Sequence, residues 1–236
     1  MKLKVHRAGC RGHVDHGWLD TWHTFSFAGY YNPDRMHFGV LRVLNDDTVQ
    51  AGMGFGTHPH DNMEIITIVL KGELEHRDSM GNGSVIRPGE IQVMSAGTGI
   101  QHSEFNHSEK DEVSLLQIWV FPDKRNVEPR YDQTVFSDKA MNGKWCNIVS
   151  PDGADGSLWI HQQAWFSLGN FDEGSTIEYQ LKKAGSGVYV FVISGEIEIG
   201  DETLESRDGL CIEDIQSKIE VEASAKSKVL MMEVPL

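Results

Sequence analysis

Three features of the sequence predict an all-β protein made of two copies of one barrel: short β-type runs punctuated by turns, an almost complete lack of helical periodicity, and one sequence element that occurs twice. Runs rich in Val, Ile, Phe and Tyr recur at Phe38–Val43, Glu64–Leu70, Glu73–His76, Glu90–Met94 and Ser114–Phe121, and again at Val188–Ile193, Glu196–Ile199, Lys218–Ala223 and Lys228–Val234. β-Branched and aromatic side chains suit a half-buried pleated surface, and such spacing belongs to a sandwich or barrel. Asn45–Asp46 and Ser79–Met80–Gly81–Asn82–Gly83 read as turns, the second as a hairpin loop. Helices are expected to be few and short.

The repeated element is Val69-Leu-Lys-Gly72-Glu-Leu-Glu75, which returns as Val192-Ile-Ser-Gly195-Glu-Ile-Glu198. In both copies a second glycine follows near the next strand, Gly89 and Gly209, so two versions of one barrel fit best. The join is expected in the less regular stretch 122–156, which holds Pro122, Pro129 and Pro151, with an N-terminal domain of residues 1–140 and a C-terminal domain of residues 141–236.

A chain of 236 residues with 39% hydrophobic content is ordinary for a globular protein, which argues against a disordered or fibrous one. The formal charge of -14 repels phosphate backbones, and no Lys/Arg run forms a local basic stripe, so direct nucleic-acid binding is not expected. No run of about 18 apolar residues is present. The start, Met-Lys-Leu-Lys-Val-His-Arg, lacks the apolar core of a signal peptide, so a cytoplasmic protein is expected. Cys10, Cys146 and Cys211 are odd in number and far apart, which suits reduced structural thiols. Nothing resembles a dimerisation segment, and a monomer is expected.

The chemistry concentrates in two glycine-framed segments. In Gly52-Met-Gly-Phe-Gly-Thr-His58-Pro-His60-Asp-Asn-Met-Glu64, two histidines stand two apart, and on a strand such residues share a face. Gly97-Thr-Gly99-Ile-Gln-His102-Ser-Glu104-Phe-Asn106 repeats the device with His102 and Glu104. Three imidazoles and a carboxylate, Glu104 or Glu64, thus face one barrel interior. Such a set leaves one or two coordination positions open and suits Fe(II), with Mn, Co, Ni, Cu and Zn chemically admissible. In the second copy the positions of His58, His60 and Glu64 fall on Leu181, Lys183 and Gly187, and no histidine follows His161, so that lobe is expected to be metal-free. His16 and His23 read as structural hydrogen-bonding residues or as the pocket mouth, and His76 and His107 as solvent-facing. Phe25, Phe27, Met53, Phe55, Met94 and Trp119 are candidates for an apolar pocket wall or for plain core.

These residues resemble a known family. Gly52-x5-His58-x-His60-x3-Glu64-x7-Gly72 looks like the first cupin motif, and Gly99-x2-His102-x3-Asn106 like the end of the second. His16-Gly-Trp-Leu, His23-Thr-Phe-Ser-Phe27, Phe55-Gly-Thr-His-Pro-His60 and Ser95-Ala-Gly-Thr-Gly-Ile-Gln-His-Ser-Glu104 are similar to the signatures of pirin and its bacterial relatives. Gly97 stands where most cupins carry proline, which fits pirins better. The resemblance is dense in the N-terminal half and loose in the C-terminal half. It implies a bicupin of two double-stranded β-helix (jelly-roll) domains, with one metal ion held by His58, His60, His102 and Glu104 and with Glu64 in a supporting role.

The resemblance also implies an activity. Bacterial pirins of this appearance imply quercetin 2,3-dioxygenase, in which a flavonol 3-hydroxyl loses its proton to Glu104 or Glu64, dioxygen is consumed and carbon monoxide is released. Its substrates would be a planar flavonol and O2. Pirins also include non-catalytic, redox-sensing regulators that act through a protein partner, and the acidic surface of this chain is compatible with a partner's basic patch.

Overall fold

In the computed structural model, which describes residues 1–236, the chain forms 22 β-strands and three helical segments of three or four residues, Ala8–Cys10, Asp138–Met141 and Ala154–Gly156. The first strands are β1 (Lys2–His6), β2 (Gly12–Asp15), β3 (Leu19–His23), β4 (Leu41–Val49), β5 (Gly54–His60), β6 (Glu64–Lys71), β7 (Leu74–Asp78), β8 (Gly83–Ile86), β9 (Glu90–Ser95), β10 (Ile100–Asn106), β11 (Val113–Val120) and β12 (Arg130–Val135). After them come β13 (Cys146–Ser150), β14 (Leu158–Trp159), β15 (Trp165–Phe171), β16 (Thr176–Gln180), β17 (Gly187–Ser194), β18 (Glu196–Ile199), β19 (Glu202–Glu205), β20 (Gly209–Glu213), β21 (Lys218–Ala223) and β22 (Ser227–Val234). No helix is long and apolar enough to cross a membrane.

Each lobe pairs a seven-stranded sheet with a four-stranded one. The N-terminal lobe has the order β12-β9-β6-β11-β4-β3-β2 against β5-β10-β7-β8, and the C-terminal lobe β1-β20-β17-β22-β15-β13-β14 against β16-β21-β18-β19. This is the all-β, two-barrel bicupin architecture that the sequence predicts. One strand crosses over: β1 pairs along its length with β20, from Lys2 opposite Glu213 to His6 opposite Gly209, so the start of the chain is built into the C-terminal lobe.

The repeated glycines occupy equivalent turns. Gly72 (φ 77°) links β6 to β7 and Gly195 (φ 89°) links β17 to β18. A Cβ would stand 2.6 Å from the Glu112 carbonyl oxygen at the first and 2.3 Å from that of Lys226 at the second. Both the left-handed backbone and the close approach demand glycine.

Alternation along the central strands divides the side chains between two environments. On β6, Ile66 and Ile68 join a 27-residue apolar cluster that also takes in Phe166, Tyr189, Phe191 and Met232, so the two large sheets pack face to face and the main core lies between the lobes. The interior of the C-terminal barrel is filled by 16 buried residues, among them Val188, Val190, Val192, Leu210 and Met231. The N-terminal barrel instead holds two separate apolar clusters, of seven and four residues. Polar side chains occupy the rest of it.

Two local expectations are corrected. Asn45 and Asp46 are not a turn but the middle of β4, hydrogen-bonded to β3 on one side and β11 on the other. The strand expected at Phe38–Val43 begins only at Leu41, with Phe38 in an isolated bridge to Leu41.

Candidate metal centre and pocket

β10 supplies the centre of the site because it lies between β5 and β7 in the small sheet. His102 stands opposite His58 on β5, and a bulge then brings Glu104 opposite Phe55, so one extra β5 residue lies between these pairings. The rings of His58, His60 and His102 gather with centroids 4.5 to 4.9 Å apart. Their ligand atoms lie within 4.8 Å of one another. His58 is oriented by its Nδ1, 2.8 Å from the Gly56 carbonyl oxygen, which leaves Nε2 free. His102 is 1% exposed, and neither of its ring nitrogens has a hydrogen-bond partner.

The opposing large sheet contributes a row of amides and a hydroxyl. Gln92, Thr67 and Gln117 are aligned across β9, β6 and β11. Gln92 Nε2 donates to Thr67 Oγ1 (3.2 Å), Thr67 Oγ1 donates to Gln117 Oε1 (3.0 Å), and Gln117 Nε2 donates to Glu104 Oε2 (2.8 Å). The row aligned in the same way in the other lobe is Leu210, Val190 and Met231. Two related barrels thus differ at the same level in whether the interior can carry charge.

Burial sets the protonation states. It pulls His60 down to about 4, with His58 adding to the effect, and pulls His102 down to about 2, with His58, His60 and His76 adding to it. Neutral imidazole is the ligating form. Burial pushes the Glu104 carboxyl up to about 7, nearby Asp47 pushes the same way, and the Thr67, Gln117 and Gln92 bonds oppose it. Asp47, also buried, is likewise pushed up to about 7 against its bond from Thr21.

A cavity of about 440 Å³ opens over this cluster. Its apolar walls are Trp18, Phe27, Phe55 and Trp119; Asn45, Asp47, Gln117 and Glu104 supply polar atoms, and His58 and His60 reach it from β5. Of the residues expected to form a wall, Phe27, Phe55 and Trp119 do so. Phe25 and Met94 are buried core, and Met53 is 43% exposed and does not line this cavity. His23 is a structural residue, with Nδ1 2.9 Å from Asn45 Oδ1, and His16 lies at the surface.

Glu64 is not brought to the site. It lies on the face of β6 shared with Ile66 and Ile68, where Ser95 Oγ donates to its Oε2 at 2.7 Å and burial pushes its carboxyl up to about 7. Parity separates it from inward-facing Thr67, so it neither lines the cavity nor approaches the imidazoles. His76 is the opposite case: expected at the surface, it is fully buried beside His102, at 5.4 Å between ring centroids. Its signal was present, since His76-x-Asp78 shows the same two-residue alternation as His58-x-His60. Asn45, Asp47, Gln117 and Trp18 were missed as pocket residues, although Gln117-x-Trp119 and Asn45-x-Asp47 follow the same alternation.

A jelly-roll lobe with imidazoles and a carboxylate inside it, joined to a lobe filled with apolar side chains, defines a bicupin with one polar and one apolar barrel. Residues 4–120 match the family model described as Pirin, and residues 147–234 match that of the Quercetinase C-terminal cupin domain. The chain belongs to the pirin family. It is 46% identical to the quercetin 2,3-dioxygenase of Escherichia coli K12 over 99% of both proteins, and 40% identical to a pirin-like protein of Caulobacter vibrioides over 86% of this chain and 87% of that protein. Its structure is similar to that of the bacterial pirin YhhW from Escherichia coli in complex with nickel(II), with a TM-score of 0.94 and 43% identity over 99% of both chains.

Proposed function

We propose that this protein is a dioxygenase that cleaves flavonols such as quercetin with release of carbon monoxide, using one divalent transition cation, Fe(II) in the first place, held by His58, His60, His102 and Glu104. The observation that carries the metal reading is His102, whose two buried nitrogens have no partner and which sits among two further imidazoles. A buried polar group left unpaired costs about 1–3 kcal/mol, and a cation removes that cost. The donor set fits a borderline transition ion, and the related YhhW structure is a nickel(II) complex.

When bound, the cation supplies Lewis-acid polarisation of a substrate oxygen and electron exchange with dioxygen. The protein's residues do the rest. Trp18, Phe27, Phe55 and Trp119 hold a planar aromatic ring and keep water from it, and cavities of roughly 300–1,000 Å³ suit ligands of that size. Glu104, buried beside the imidazoles at the floor of the cavity, accepts the proton of the flavonol 3-hydroxyl. Gln117, donating to Oε2 at 2.8 Å, and Thr67, whose Oγ1 lies 3.5 Å from Oε1, orient the carboxylate. Glu64, on the other face of β6, takes no part.

The test is oxygen consumption and carbon monoxide release with quercetin by the Fe(II)-loaded protein, beside the H58A/H60A variant and with elemental analysis of both. Metal-dependent turnover that disappears in the variant supports the reading. Bound metal without turnover on any flavonol defeats it and favours a metal-sensing regulator that works through a protein partner.

A further inference from the structure

We infer that His76, His102 and Glu104 form a second, inner position for a transition-metal cation, on the side of β10 away from His58 and His60. The register carries the geometry: β10 has β5 on one side and β7 on the other, and Glu104 stands directly opposite His76, as His102 does opposite Asp78. The ligand atoms of His76, His102 and Glu104 lie within 4.8 Å of one another, the same limit that the outer imidazoles meet. All three side chains are at most 3% exposed.

His76 is held as a ligating histidine is held. Its Nε2 lies 3.3 Å from Asp78 Oδ2 with both side chains fully buried, and its ring stacks on Tyr131 at 4.7 Å and 20°. The remaining nitrogen, Nδ1, is buried without a partner. A carboxylate fixing one nitrogen while the other stays free is the usual support of a metal-bound imidazole. The two nitrogens of one ring point away from each other, so an ion placed among His58, His60 and His102 engages only one nitrogen of His102. The other carries the ring proton, so His102 serves one ion at a time; an ion between His76, His102 and Glu104 takes His102 and Glu104 in place of the outer one and pairs His76 Nδ1, which nothing else in the barrel does. Imidazole and carboxylate together suit Fe, Co, Ni, Cu or Zn.

The inference rests on the reading that this barrel binds a metal ion and is independent of the flavonol reading. The probe is Co(II), whose visible absorption reports its ligands, added to the wild-type protein, to H58Q/H60Q and to H58Q/H60Q/H76Q. His58 and His60 lie partly exposed on edge strand β5, so replacing them leaves the core intact. H58Q/H60Q is expected to take up about one Co(II), more weakly than wild type, and adding H76Q is expected to weaken that uptake at least about tenfold. Anomalous diffraction from H58Q/H60Q crystals at the cobalt edge is expected to place the ion between His76, His102 and Glu104. If the triple variant does not fold, this map decides alone. A folded H58Q/H60Q that takes up no Co(II), uptake indifferent to H76Q, or a cobalt peak elsewhere overturns the inner position. Wild-type protein that binds no Co(II) overturns the metal reading as well.

Discussion

Gln117 Nε2 donates to Glu104 Oε2 at 2.8 Å across the N-terminal barrel, tying an amide on the large sheet to a carboxylate that lies beside His102 and His76. Gln117 is itself held by Thr67, so the orientation of Glu104 is set by two side chains that touch neither His58 nor His60. Replacing Gln117 by leucine removes the donor while keeping the bulk. Metal affinity is expected to fall about tenfold, as for other groups that orient a ligand. Competition titration against a chelator measures it, and unchanged affinity would mean that Glu104 does not depend on this bond.

Asp46 on β4 joins the lobes through two guanidiniums. Arg11 Nη1 reaches it at 3.2 Å and Arg207 Nε, from the C-terminal lobe, at 3.0 Å. The Arg11 side chain is 5% exposed and packs over Trp22 and Phe191. Asp46→Ala leaves a buried guanidinium without its carboxylate and is expected to cost about 3 kcal/mol. Adding Arg11→Met, which removes that charge, is expected to restore most of the loss. Urea midpoints at constant slope provide the comparison, and a double variant no more stable than D46A would contradict the account.

His6 makes the β1 crossover sensitive to acid. Its Nδ1 lies 3.1 Å from the Tyr189 hydroxyl, and burial, helped by Arg35 and Lys4, pulls its pKa down to about 4. The unfolded chain takes up this proton near the ordinary 6.5, whereas the folded one does not until about 4. The stability it confers is therefore complete above pH 6.5 and is lost as the pH falls to 4, on the order of 3 kcal/mol. His6→Gln is expected to flatten the decline in Tm between pH 7 and 5. An equally steep decline in the variant would assign the acid sensitivity to other groups.

What was legible in the sequence and what was not follows from where each feature is decided. The two-barrel plan was legible because Gly72 and Gly195 meet a backbone constraint that only glycine satisfies. That His58, His60 and His102 gather together was legible because alternation along a strand is local, whereas parity alone left Glu104 and Glu64 as equals. Asn45–Asp46 reads as a turn because those residues favour turns, yet β4 needs Asp46 toward Arg11 and Asn45 toward the cavity, and tertiary pairing overrides local preference. His76 was missed although His76-x-Asp78 shows the alternation, because alternation alone does not say which face of a strand is covered. Whether Glu64 faces in or out was hidden because the second lobe buries the outer face of β6, and no local pattern reports a distant partner.

Glu64 gives the most direct test of that burial. Its side chain shares the interlobe face with Ile66 and Ile68, and burial raises its pKa from 4.5 to about 7 despite the bond from Ser95 and the charge of Arg130. In the unfolded chain the proton leaves near 4.5; in the folded protein it stays until about 7. The contribution to stability is therefore full below pH 4.5 and is lost as the pH rises to 7, by on the order of 3 kcal/mol. Glu64→Gln keeps the shape and removes the charge, so the variant is expected to be more stable than wild type at pH 8 and close to it at pH 5. Because the side chain faces away from the imidazoles, metal uptake and turnover are expected to stay within about twofold of wild type, as for changes distant from a site. A folded E64Q that no longer binds metal would show instead that this carboxylate reaches the centre.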